Sequence, residues 1–178
     1  MPGTLPVPLT IELPQGWQSA PPDEVGAPHA AFVALHMASR GQGFMPNITV
    51  TGHTLDGSSS LHSLAEASVR RLRENVGAVD VVKRTEVGTS PAPGLIDAPG
   101  IVQNLRIQAT VNGQPMELAQ SQFILVLENE QRRSERAEIE IALTAKTSQL
   151  QDVLEDFQAF ISTLRPAAPT PEAPTSED

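Results

Sequence analysis

Prolines set the first limits on what this chain can fold into. There are 16 among 178 residues, and none falls in 60–76 or 147–165. Proline removes a backbone donor and clashes with the preceding turn, so any substantial helix is confined to those two windows. Each window carries a helical apolar period. In the first, Leu61, Leu64, Ala65, Ser68, Leu72 and Val76 share one face, opposite Glu66, Arg70, Arg71, Arg73 and Glu74. Ser60 or Ser63 can accept from the first-turn amides, Glu66 stands at capping-box spacing from Ser63, and Gly77 can end the helix in a left-handed conformation. In the second, Leu150, Val153, Leu154, Phe157, Ile161 and Leu164 recur at three and four, Ser148 with Gln151 offers another capping box, and Pro166 stops the helix. The pattern predicts helices at about 60–76 and 148–165.

The remainder reads as strands. Residues 9–13, 31–38, 48–51 and 79–87 are alternating or β-branched, and Ile139, Ile141 and Leu143 alternate with Glu140, Ala142 and Thr144, as in half-buried antiparallel strands. Asn112-Gly113 tolerates positive φ at both central positions of a two-residue type I′ hairpin. That turn fixes a register: Val111 opposite Gln114, Ala109 opposite Met116, Ile107 opposite Leu118, Leu105 opposite Gln120 and Gln103 opposite Gln122. The apolar face is then Leu105, Ile107, Ala109, Val111, Met116 and Leu118, and Gln103, Gln120 and Gln122 fall on it. An unpaired buried amide costs about 1–3 kcal/mol. Phe123, Leu125 and Leu127 have the opposite parity. This argues for a β-bulge near residue 120 that returns the glutamines to solvent, over the alternative of a polar-lined cleft. The fold class is α+β, an antiparallel sheet with two packed helices. The expected boundaries are a flexible N-terminus at 1–8, one domain at 9–165, and a disordered proline, alanine and acidic tail at 166–178. The charged segment 128–138 reads as a solvated hairpin loop.

Several function classes recede on composition. The net charge is −9, with 12 basic residues against 21 acidic, and aromatics make up 3%. Nucleic-acid binding wants a basic face and stacking rings, so no nucleic-acid partner is expected. Without cysteine there is no disulfide, thiolate nucleophile or iron–sulfur cluster. His29, His36, His53 and His62 make no metal-binding spacing, so no metal is expected. Serines 58–60 read as helix-capping residues rather than nucleophiles, and Gly41-Gln42-Gly43 lacks the Lys-Ser/Thr of a phosphate loop. No catalytic residue and no cofactor are expected, and no run of about eighteen apolar residues suggests a membrane span. Met1–Thr10 carries no signal-peptide pattern, and with Met1 as the natural start the expected location is cytoplasmic. One loop offers apolar groups: Phe44 and Met45 follow Gly41 and Gly43, either as core or as an adaptable contact surface, with core the leading reading.

The order of these elements carries a resemblance. A strand leads into Leu13-Pro14-Gln15-Gly16-Trp17, then come Phe44-Met-Pro-Asn-Ile-Thr-Val50 and a capped helix. A strand near Val81, the long Asn-Gly hairpin with Gln120 and Gln122, another strand and a helix ending Ile161-Ser-Thr-Leu-Arg165 complete it. Over about residues 9–165 this resembles the PsbP-like superfamily with its actinobacterial LpqN-type proteins, and the related Eag-type chaperones. The resemblance implies an antiparallel sheet with helices packed on it, and binding or assembly proteins rather than enzymes. LpqN-type proteins usually carry an export signal and a lipidated cysteine, and this sequence has neither. The expected function is a non-catalytic protein-binding module, chaperone-like or an assembly or secretion accessory; the alternative is a carrier for an apolar small molecule or lipid. The candidate binding residues are Phe44, Met45, Gln103, Gln120 and Gln122.

Overall fold

Both proline-free windows hold a helix, but the second ends at Ser162, short of Pro166, which lies in a strand. The computed structural model describes residues 9–55, 59–87, 99–128 and 136–166. The expected flexible N-terminus, the tail beyond Pro166 and most of the charged 128–138 segment lie outside the described residues.

In chain order the strands are β1 (Leu9–Thr10), β2 (Trp17–Ala20), β3 (Phe32–His36) and β4 (Asn47–Leu55), followed by helix α1 (Leu61–Val76). Then come β5 (Ala78–Val87), β6 (Gly100–Val111), β7 (Gln114–Glu128), β8 (Arg136–Lys146), helix α2 (Leu150–Ser162) and β9 (Arg165–Pro166). Seven strands form one antiparallel sheet in the order β2-β3-β4-β8-β7-β6-β5, and β1 pairs with β9 separately.

The hairpin has the register that Asn112-Gly113 dictates, from Val111 opposite Gln114 through Gln103 opposite Gln122. Asn112 and Gly113 both have positive φ, 51° and 78°. The pairing then runs without interruption to Gly100 opposite Leu125. The expected bulge near residue 120 is therefore absent. The register shift lies on edge strand β5, between Val81 and Lys83.

The parity change along β7 has another cause: the sheet is covered on both faces. Leu64, Ala65 and Val69 of α1 lie with Ile101, Leu105, Ile107, Leu118, Ile124 and Val126 on one side. Val153, Phe157, Phe160 and Ile161 of α2 pack with Ile48, Val50, Phe123, Leu125, Ile139, Ile141 and Leu143 on the other. Strands covered on both sides lose simple alternation, so β8 is buried along both faces rather than half-buried. The helices are offset. α1 covers the β5-β6-β7 half of its face, and α2 covers β8, β4 and β3 on the opposite face. The α1 side of β8 and β4 is left with Asn47, Thr49, Thr51, His53, Glu138, Glu140 and Thr144.

The Ser60 cap is as expected, and the other end signals differ. Ser60 caps α1 by accepting from the Ser63 amide at 3.1 Å, while Glu66 turns to Arg84 instead of closing a capping box. Gly77 follows with φ 111° and ψ −131°, a positive-φ conformation but not the left-handed helical one. α2 begins at Leu150 after Gln149, and no side chain caps it, so Ser148 with Gln151 forms no box. Gln149 accepts from the Lys146 amide at 3.0 Å and is buried.

Candidate functional site

Three glutamines on facing strands make a hydrogen-bonded row beneath α1. Gln103 of β6 and Gln122 of β7 are cross-strand partners with no exposed surface. The Gln103 amide donates to Gln122 Oε1 at 2.6 Å and to the Ala65 carbonyl at 3.2 Å. Gln122 donates to Gln120 Oε1 at 2.6 Å, and Gln120 donates to Thr144 Oγ1 on β8 at 2.8 Å. At the other end Arg84 Nε donates to Gln103 Oε1 at 2.9 Å. Every link runs in the same direction, from the Arg84 guanidinium to the Thr144 hydroxyl. Aligned amide dipoles polarise one another, and this offsets the cost of burying them.

The row also fastens α1. Ser68 shares its one proton between Gln122 Oε1 at 3.2 Å and Glu140 Oε1 at 3.0 Å, and Arg71 reaches Glu140 Oε2 at 3.4 Å. Burial raises the Glu140 carboxyl above the usual range, against the opposing pull of Arg71 and Ser68. Two residues away on the same face, Glu138 is 4% exposed and its Oε1 has no hydrogen-bond partner among the described residues. Burial, then the neighbouring Glu140 charge, raise its carboxyl too. Glu66 moves the other way, because its hydrogen bond and ion pair with Arg84 favour the carboxylate.

Phe44 and Met45 are both half-buried. Phe44 packs against the buried cluster of Val69, Val79, Leu105, Ile107 and Leu118, as do half-buried Leu72, Ala109 and Met116. The loop is pinned from below: Gln149 Nε2 donates to Gln42 Oε1 and to the Phe44 carbonyl, both at 2.9 Å, and the Lys146 ammonium donates to the Gln42 carbonyl. Phe44 is thus partly core and partly surface. The loop and the glutamine row meet at β8, where Thr144 takes the last amide of the row and Lys146, two residues on, holds the loop.

Sequence reasoning singled out the glutamines and the loop but not Ser68, Arg84, Glu138, Glu140 or Thr144. Ser68 stood on the apolar face of the first helix, the one available signal. Glu140 and Thr144 alternate with apolar residues along β8, which by itself suggests outward positions.

No family model matches this sequence, and no curated protein does. Solved structures do match. LpqN of Mycobacterium tuberculosis, described as involved in cell envelope biogenesis, aligns over 92% of this chain and 86% of its own, with TM-score 0.62 and 12% identity. The PsbP of the cyanobacterium Synechocystis sp. PCC 6803 aligns over 89% of this chain and 92% of its own, with TM-score 0.52 and 12% identity. The fold is PsbP-like. A likeness at this identity is one of fold, so no binding residue is carried over from either structure. Among the described residues no helix is long and apolar enough to cross a membrane.

Proposed function

We propose that this chain is a non-catalytic protein-binding accessory module, and that its partner docks an apolar segment on the patch around Phe44. The observation that carries this reading is the set of half-buried apolar side chains Phe44, Leu72, Ala109 and Met116, gathered on one buried cluster beside a loop whose backbone is tied to Gln149. Two features favour binding there. The thioether of Met116 adapts to irregular surfaces. The pinned backbone reduces the ordering entropy that a free loop would lose on association. The PsbP-like fold and its likeness to LpqN are compatible with an accessory role.

The test is photo-crosslinking in the native host. A benzoylphenylalanine is placed at 44 or 116, with a control at exposed Arg106. A discrete protein adduct from 44 and 116, absent from 106, is the expected result. The double substitution Phe44→Ser with Met45→Ser should abolish that adduct from position 116 while far-UV circular dichroism stays native. An unchanged adduct in the folded double variant rejects the patch, and a ligand that copurifies in place of a protein favours a carrier.

A further inference from the structure

The glutamine row ends on the half-buried hydroxyl of Thr144. Thr144 Oγ1 accepts from Gln120 Nε2, and its own O–H donates to no group among the described residues. Thr144 is half-buried, on the α1 side of the sheet, where α1 leaves β8 uncovered. A hydroxyl that accepts at the end of an aligned donor chain headed by an arginine becomes a better donor. Lys146 lies two residues on along the same face, about 7 Å away by strand geometry. Its ammonium gives one hydrogen bond to the Gln42 carbonyl and has two more to offer. Asn47 stands opposite Thr144 on β4. These donors border the loop whose Phe44 closes the apolar patch, because Leu118 of that patch's buried cluster is the cross-strand partner of Lys146.

We infer that Thr144 and Lys146 form a carboxylate-binding subsite beside the Phe44 patch, so that the docked protein segment carries an aspartate or glutamate next to its apolar anchor. The inference rests on the docking reading above and specifies the partner's chemistry. Charge complementarity selects the occupant: one ammonium and a polarised hydroxyl match one carboxylate, and a hydroxyl plus an ammonium give it charge-assisted hydrogen bonds.

The probe is a fluorescein-labelled amphipathic 14-residue peptide with leucines at helical spacing and two glutamates, compared with the same peptide carrying glutamines. Fluorescence anisotropy with the full chain should give roughly tenfold tighter binding of the glutamate peptide, as expected for one charge-assisted pair. Thr144→Val and Lys146→Gln should each shrink the ratio of the two affinities, in which any loosening of the loop at Gln42 cancels because it weakens both peptides alike. Thr144→Val also deprives Gln120 of its acceptor, so a thermal melt accompanies it, and Lys146→Gln tests the subsite without touching the row. Equal affinities for the two peptides, both lost in Phe44→Ser, overturn the subsite and leave the patch standing. A preference that persists in both variants overturns it as well. Binding of neither peptide also overturns it, whereas the patch is judged separately by the crosslinks from position 44.

Discussion

Gln122 stands at the centre of the row, accepting from Gln103 and Ser68 and donating to Gln120. Gln122→Leu leaves the Gln120 oxygen without its donor and takes an acceptor from Gln103 and Ser68. A loss of about 2 kcal/mol in urea unfolding is expected, within the range for an orphaned buried polar group. Gln103→Leu should cost a similar amount by depriving Arg84. Replacing both partners of one hydrogen bond orphans fewer groups than the two single changes together. The double variant should therefore be less damaging than their sum, and a double-mutant cycle measures the difference. Glu138 yields a pH prediction. Its folded carboxyl is raised, first by burial and then by Glu140. The folded state therefore holds this proton more tightly than the unfolded chain does. The stability linked to it is fully present below the ordinary carboxylate range and is lost as pH rises through the raised value. Glu138→Gln removes that dependence, so its stability relative to the parent should improve from about pH 4 upward and level off above the raised value. Urea midpoints across pH check it, and a constant difference between the two proteins refutes the assignment.

At the scale of elements, the helices were legible because proline and apolar period are local signals. The hairpin register was legible because one dipeptide fixes it and strand geometry carries it eleven residues further. The face that each residue meets was not local. Phe123 and Ile124 are both fully buried because α2 lies on one side of β7 and α1 on the other, and nothing within β7 says so. The apolar parity change there suggests a bulge that would send the glutamines to solvent, whereas the pairing is continuous and they are buried or half-buried. The candidate site was legible only in part for the same reason: the glutamines announced themselves, but Ser68, Arg84 and Thr144 join them through pairings between distant segments. The cap of α2 is a further case. Gln149 has the polarity of a capping residue, yet its side chain holds the Lys146 amide, Gln42 and Phe44. Gln149→Ala should cost about 1–3 kcal/mol and speed amide exchange across 41–46, read by hydrogen–deuterium exchange. Unchanged exchange there would mean that the loop is held without the Gln149 bonds, by Phe44 and Lys146.

At the scale of the whole molecule, the offset helices divide the apolar interior into territories on opposite faces of one sheet. The α2 territory is the larger, and it includes Trp17, whose indole also donates to Asp156 of α2 at 2.9 Å. The α1 territory is split by the glutamine row into one cluster around Leu64 and another around Val69. Within each territory, burial separates positions that periodicity treats alike. Phe157 is 2% exposed whereas Leu154 is half-buried, so of two aspartate substitutions on that helical face, the one at 157 should be far the more damaging. Across the sheet, coupling should be weak. Val69 and Val153 are both fully buried, but a full layer of strands separates their clusters. Val69→Ala and Val153→Ala should each cost about 2 kcal/mol from lost burial and the cavity left behind. Sites without shared neighbours add to within about 0.5 kcal/mol, so the double variant should lose the sum of the two. Equilibrium unfolding of the four proteins in urea decides it. A coupling well above that margin would mean that a cavity on one face is relaxed by movement of the sheet. The two faces would then form a single mechanical unit.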